Sequence, residues 1–322
     1  MTRIGYHCSH EQYPPSRLLD NAKLAAQAGW KMAMCSDHFH PWSKRQGQSG
    51  FAWSWLGAAM EATALSFGTV CAPGQRYHPA VIAQAAATLA EMYAGRFWMA
   101  MGSGEALNES ITGEAWIPKA QRRERTEECV DIMRALWAGE TVTRNGLIQI
   151  RNARLYSRPA PGLAPAIYAA CLTPESAEWA GSWADGMITV SQEHAQMQDV
   201  VGAFRRGGGA GKPIYLQVVI SHAPSEDEAL QAAATEWRQA ALDKALLADL
   251  DTPAAFDRAT AGLTPAEIAK SVRVSSSAHQ HLEWLLKDAE LGFDTLFIHN
   301  VHRNQQAFIS TFAQTVLPHF ER

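Results

Sequence analysis

Short apolar runs of strand length alternate with longer amphipathic or alanine-rich stretches along almost the whole chain. The runs at 3–8, 31–35, 65–69, 97–101, 167–170, 186–190, 214–221 and 295–299 are mostly apolar, as strands buried on both faces are. Between and after them the pattern predicts helices over 53–64, 80–93, 122–137, 174–184, 193–206, 225–247, 278–291 and 305–320. The first helix reads from Leu18, Leu19, Ala22, Ala25 and Ala26, opened by Pro14 and Pro15 and stopped at Gly29. Two segments break the rhythm. At 139–164 the pair Asn145-Gly146 signals a hairpin among several prolines, and 249–263 reads as a second insertion.

About eight strand–helix units are what a (β/α)8 TIM barrel with insertions requires, here as one domain over 1–322. A doubly wound open sheet is the rival, but it usually shows a Gly-x-Gly-x-x-Gly turn after the first strand. Here that strand ends in His7-Cys8-Ser9-His10, so the barrel is the better reading. In a barrel the strand C-termini share one face. His7, Asp37, His38, Cys71, Glu105 and Ala170 then surround one pocket.

Composition narrows the partners. The 322 residues are 47% hydrophobic and 19% charged, ordinary for a chain that buries a sizeable core. A net charge of -4 and a pI near 6.3 give no basic field, so neither nucleic acid nor an anionic membrane is expected as a partner. The amino-terminal residues Met1-Thr2-Arg3-Ile4-Gly5 enter a strand at once, which points to the cytoplasm. Five cysteines, an odd number without a Cys-x-x-Cys pair, argue against a disulfide framework or zinc site. They read as free, mostly buried thiols, although Cys8, Cys35, Cys71 and Cys171 fall at strand ends near the pocket.

The chemistry gathers at Ser36-Asp37-His38-Phe39-His40-Pro41-Trp42, where a buried strand gives way to a loop. A carboxylate, two imidazoles and an indole at a strand mouth suit an active site better than a scaffold. His38 fits a base that takes an alcohol proton as hydride leaves; the plainer alternative is a histidine tying two loops together. Glu105 lies between Gly104 and Ala106, as a proton donor of raised pKa or as the acid of the following helix N-terminus. Trp42 serves as an aromatic wall or as packing. Arg76-Tyr77-His78-Pro79 stands at a helix entrance, for anion contact or capping. His222, His279, His281, His299 and His302 lack ligand spacing, and no metal is assigned.

Three separated motifs carry a resemblance. Ser36 to Trp42, Arg76-Tyr77-His78-Pro79-Ala80-Val81-Ile82-Ala83-Gln84, and Gly102-Ser103-Gly104-Glu105-Ala106-Leu107-Asn108-Glu109 resemble the bacterial luciferase-like superfamily of flavin and deazaflavin oxidoreductases. They look most like its branch of deazaflavin-dependent glucose-6-phosphate dehydrogenases. The resemblance implies a barrel, commonly a homodimer, whose cofactor ring lies at the strand C-termini.

It casts His38 as base, Trp42 as the aromatic beside the ring and Glu105 as proton donor. Cofactor contacts are implied at Asp37, Val70, Cys71, Ser103, Gly104, Asn108, Ala170, Cys171, Leu172 and Thr173, with a non-prolyl cis peptide near Val70-Cys71. The chain departs where a glycine pair would face the cofactor phosphate, having Leu172-Thr173. It also lacks the basic residues that hold a sugar phosphate, with no lysine in Thr189-Val190-Ser191-Gln192-Glu193 and Ser271 after Lys270. These departures favour FMN marginally over coenzyme F420, and an unphosphorylated small-molecule substrate. The expected activity is hydride transfer between a flavin-type ring and that substrate; a flavin monooxygenase and a non-catalytic flavoprotein barrel are the alternatives.

Overall fold

The structure, a computed structural model, describes residues 1–320; residues 321–322, the end of the expected domain, lie outside it. Its strands are β1 (Arg3–Cys8), β2 (Met32–Ser36), β3 (Ser66–Cys71), β4 (Phe97–Met101), β5 (Val142–Asn145), β6 (Gln149–Ala153), β7 (Ala166–Ala170), β8 (Gly186–Val190), β9 (Ile214–Ser221), β10 (Arg273–Val274) and β11 (Thr295–Asn300). β1, β2, β3, β4, β7, β8, β9 and β11 pair in parallel in that order, and β11 returns to β1. The sheet therefore closes as the expected (β/α)8 barrel. β5 and β6 form the antiparallel hairpin signalled by Asn145-Gly146, and β10 flanks the end of β9.

Closure works because the interior alternates large rings with glycines. Trp98 meets Tyr168, Tyr215 and Phe297 with ring centroids 5.2, 5.1 and 5.4 Å away. Beneath the rings, Tyr168 and Tyr215 stack at 4.4 Å and their hydroxyls bond at 2.7 Å. Gly68, Gly5 and Gly186 make the room. A Cβ on Gly68 would stand 1.9 Å from Trp98, and one on Gly5 or Gly186 2.4 Å from Phe297 or Tyr168. Contacts that short force rearrangement of a packed core.

Three expectations change. β3 continues to Cys71 because its ladder with β4 holds through Cys71 opposite Met101. No cis peptide occurs among the described residues, so the bond expected near Val70-Cys71 is trans. The helix expected over 225–247 is broken into Glu226–Glu236, a short turn at Arg238–Ala241, and Lys244–Asp249. Trp237 leaves the helical region at φ -135°, and the Arg238 guanidinium turns to the carbonyls of Thr260 (2.6 Å) and Leu263 (2.8 Å). Asp243 then accepts from the Ala245 N–H and starts the next helix. Within the second insertion, Pro253–Ala259 is itself helical.

Candidate active site

His38 and Asp37 adjoin in sequence but part at the end of β2. The Asp37 side chain turns inward, accepting from the Tyr77 hydroxyl at 2.9 Å and facing the Arg76 guanidinium at 3.5 Å. Arg76 also faces Glu109 at 3.7 Å, and its backbone N–H donates to the same carboxylate. With two acids beside it, Arg76 is spent inside the protein and offers nothing to an anion. His78 caps the next helix by accepting the Ala80 N–H. Burial pushes the Asp37 carboxyl up, against the opposing pull of Arg76 and Tyr77.

His38 instead reaches the barrel mouth with 15% of its side chain exposed. Its Nδ1 lies 3.5 Å from Glu11 Oε1 and its Nε2 3.7 Å from Glu105 Oε2. The imidazole thus stands between two carboxyl groups of unlike surroundings.

Glu11, just beyond β1, is 1% exposed. Its Oε2 accepts from Ser9 Oγ (2.7 Å) and Ser36 Oγ (2.9 Å), so the carboxylate is fixed from both β1 and β2. The facing atoms Glu11 Oε1 and His38 Nδ1 are both buried and have no hydrogen-bond partner, so the pair meets by charge and proximity. Burial raises the Glu11 pKa, but His38, the Ser9 hydroxyl and its own backbone N–H together hold it below the usual value. A charged Glu11 favours the proton on Nδ1 and leaves Nε2 as the basic nitrogen toward the mouth. Sequence reading passed over Glu11 as a site residue. The available signal was an acid between His10 and Gln12 directly after a strand that ends at the mouth.

Glu105 occupies the N-cap position of the short helix Ala106–Glu109, yet its side chain caps nothing. Instead 32% of that side chain is open at the mouth. Its depth in the cleft raises the carboxyl pKa; His38 lowers it and Glu11 raises it again. The two carboxyl groups are therefore pushed in opposite directions, Glu105 toward keeping its proton and Glu11 toward giving it up.

Asn108 joins the two halves. It is 5% exposed, accepts the Phe39 N–H on Oδ1 at 2.9 Å and donates from Nδ2 to Glu105 at 3.2 Å. His40 Nδ1 adds a 2.9 Å contact to the Leu107 carbonyl. The amide thus spends both ends inside the protein, tying the loop of His38 to that of Glu105. Trp42 stands 4.9 Å from the His38 ring and 5.2 Å from Phe256 of the insertion, forming a wall between them.

The remaining expected residues lie around the same mouth. Val70 and Ala170 are half-buried at the ends of β3 and β7, and both pack against the barrel interior beside Ala100. A Cβ on Gly102 would meet nothing closer than Ala170 at 3.9 Å. Ser103 and Gly104 follow, with Gly104 at φ 87° beside Trp116. Small side chains thus line this part of the mouth, and none of them fills the space above Gly102. Cys71 and Cys171 are buried, which pushes both thiols up and leaves them unreactive. Leu172 offers its carbonyl, while Thr173 caps the helix Pro174–Ala180. Among the described residues no cluster of His, Cys, Asp and Glu could hold a metal ion, and no helix is long and apolar enough to cross a membrane.

Comparison with known proteins shows the family and the fold. The profile of the family described as luciferase-like monooxygenase matches residues 1–295. The F420-dependent glucose-6-phosphate dehydrogenase of Beutenbergia cavernae is 33% identical over 99% of this chain and 97% of its own length. That of Mycobacterium tuberculosis is 32% identical over 99% and 98%. Among solved structures, an F420-dependent secondary alcohol dehydrogenase in complex with an F420-acetone adduct superposes with a TM-score of 0.92 at 29% identity, covering 100% of this chain and 99% of the other. The chain belongs to the luciferase-like monooxygenase family, as an oxidoreductase that moves a hydride between a flavin-type ring and a small organic substrate.

Proposed function

We propose that this oxidoreductase is a dehydrogenase that uses a deazaflavin of the F420 type and oxidises a small unphosphorylated alcohol. FMN, the marginal choice on sequence, gives way because relatives aligned over 99% of the chain are named for F420. The observation that carries the reading is the Glu11–His38–Glu105 row, in which one imidazole faces a carboxyl held below its usual pKa behind it and one pushed above it ahead. When bound, the deazaflavin ring supplies a two-electron hydride acceptor at the mouth.

The side chains supply the proton handling. Val70, Ser103, Gly104 and Ala170 would hold the ring on the small-residue floor. His38 Nε2 takes the hydroxyl proton of the alcohol, and Glu11 stabilises the imidazolium that results. Glu105 keeps a proton at the mouth on a carboxyl of raised pKa. Trp42 closes the side of the site against water. Glu193 and Ser271 are exposed and carry no positive charge where the resemblance expects the basic residues of a sugar-phosphate site, which favours a neutral alcohol over a sugar phosphate. A homodimer and a cytoplasmic location belong to the same proposal, and light scattering reads the first.

The test is a cofactor titration of the purified protein with F420 and FMN side by side, followed by 2-propanol or glucose 6-phosphate. Tight F420 binding and its reduction by the neutral alcohol is the expected result. FMN binding with substrate-linked oxygen uptake would overturn the proposal in favour of a monooxygenase.

A further inference from the structure

A cation that the proton-handling row does not use stands across the mouth from His38. In the closed order of strands, β8 lies opposite β2. Gln192 follows β8 and Leu172 follows its neighbour β7. Between them the Lys244 ammonium donates to the Leu172 carbonyl at 2.8 Å and to the side-chain oxygen of Gln192. The Gln192 amide also donates to that carbonyl, at 3.4 Å.

Lys244 is half-buried, and both of its acceptors are neutral. Among the described residues no carboxylate stands within ion-pair distance of it. The adjacent Asp243 accepts the Ala245 N–H at 2.8 Å, capping its own helix. An ammonium carries three donors, and two are used here. A partly desolvated charge satisfied only by neutral oxygens retains a strong preference for an anion.

The helix that bears it adds a second observation. Lys244–Asp249 buries none of its side chains, although its sequence Lys-Ala-Leu-Leu-Ala-Asp is largely apolar. Its far end is held by Asp249, which accepts the Trp116 indole N–H at 2.9 Å, and Trp116 packs beside Gly104. The helix thus reaches from the β7 and β8 loops to the β4 loop. It lies against the short helix Ala106–Glu109 without burying any of its own residues.

Resting on the dehydrogenase reading above, we propose that Lys244 receives the phosphate of the bound cofactor. Both F420 and FMN carry that phosphate at the end of a polyhydroxylated tail, remote from the reacting ring. A ligand whose ring lies by His38 and Glu105 extends its tail toward the opposite side of the mouth. There Lys244 is the half-buried cation without a counter-charge.

The experiment compares binding of each cofactor with that of its phosphate-free core, F420 against the ribityl deazaflavin that lacks the phosphate and FMN against riboflavin, by fluorescence titration. The wild-type chain binds the phosphorylated member more tightly, and the preference weakens as salt is raised. In Lys244→Met the preference falls about tenfold while binding of the phosphate-free core is unchanged. Lys244→Arg keeps most of the preference, which separates lost charge from a disturbed helix.

Equal binding ratios in wild type and Lys244→Met would overturn the assignment alone. Inorganic phosphate competing with the alcohol only when Lys244 is present, with those ratios unchanged, would give the charge to the substrate instead. Failure of the wild-type chain to bind any of the four compounds would overturn the dehydrogenase reading and this assignment together.

Discussion

Glu11 Oε1 faces His38 Nδ1 at 3.5 Å from a position that solvent does not reach, held there by the hydroxyls of Ser9 and Ser36. The carboxylate is closed off from solvent behind the imidazole, a place from which it orients and charge-balances His38. Glu11→Gln retains the shape and removes the charge. It is expected to lower kcat by about tenfold to a hundredfold with cofactor affinity unchanged. Steady-state kinetics with a parallel cofactor titration checks this, and equal losses in both would point to a collapsed site.

Glu105 has the opposite disposition. Burial holds its pKa above the ordinary 4.5, so its protonated form persists to higher pH than that of an exposed glutamate. Activity that needs the protonated form falls as pH rises through that raised value. Glu105→Gln, neutral at every pH, abolishes this limb of the pH–rate profile even where it lowers the maximum. Stability follows the same sign, since the contribution of this partly buried acid is full below pH 4.5 and lost as pH rises through the folded-state value. A profile in which the limb survives Glu105→Gln would assign it to another group.

Asn108 sets the distance between base and acid. Asn108→Leu strands the half-buried Phe39 N–H and releases Glu105, costing about 1 kcal/mol of stability together with kcat. Asn108→Asp keeps an acceptor for Phe39 and recovers much of the stability, but it places a carboxylate against Glu105 and leaves kcat low. Urea unfolding and turnover of the two variants separate these effects.

Acid should unfold the protein through histidines outside this row. Burial holds His7, His10 and His281 down at about 4, against 6.5 when free. The unfolded chain binds their protons first, so stability drops as pH falls from 6.5 toward 4. Each group contributes about 3 kcal/mol over that window. Denaturant midpoints measured between pH 7 and 4 give the slope, and a flat profile would mean that these rings are charged in the folded state.

Much of this was legible in the chain because barrels write themselves plainly. Eight buried runs with helices between them fixed the closed order, and the cluster from Ser36 to Trp42 marked the mouth. What stayed hidden depended on direction rather than residue type. Asp37 and His38 are neighbours, yet only the structure shows that Arg76 and Tyr77 draw the first inward. Glu11 has no site role in the sequence reading, because its value lies in contacts made across to Ser36 and His38. The alanine-rich pattern over 225–247 could not report that the Arg238 side chain would prefer distant carbonyls to a continued helix.

The most direct test is a single-turnover reduction of F420 by 2-propanol, comparing the wild-type protein with His38→Ala at matched cofactor saturation. Bleaching of the cofactor in the wild type, slowed by about a hundredfold or more in His38→Ala with F420 affinity retained, is the predicted result. Equal rates in the two proteins would contradict the account by removing the imidazole from the proton transfer on which it rests.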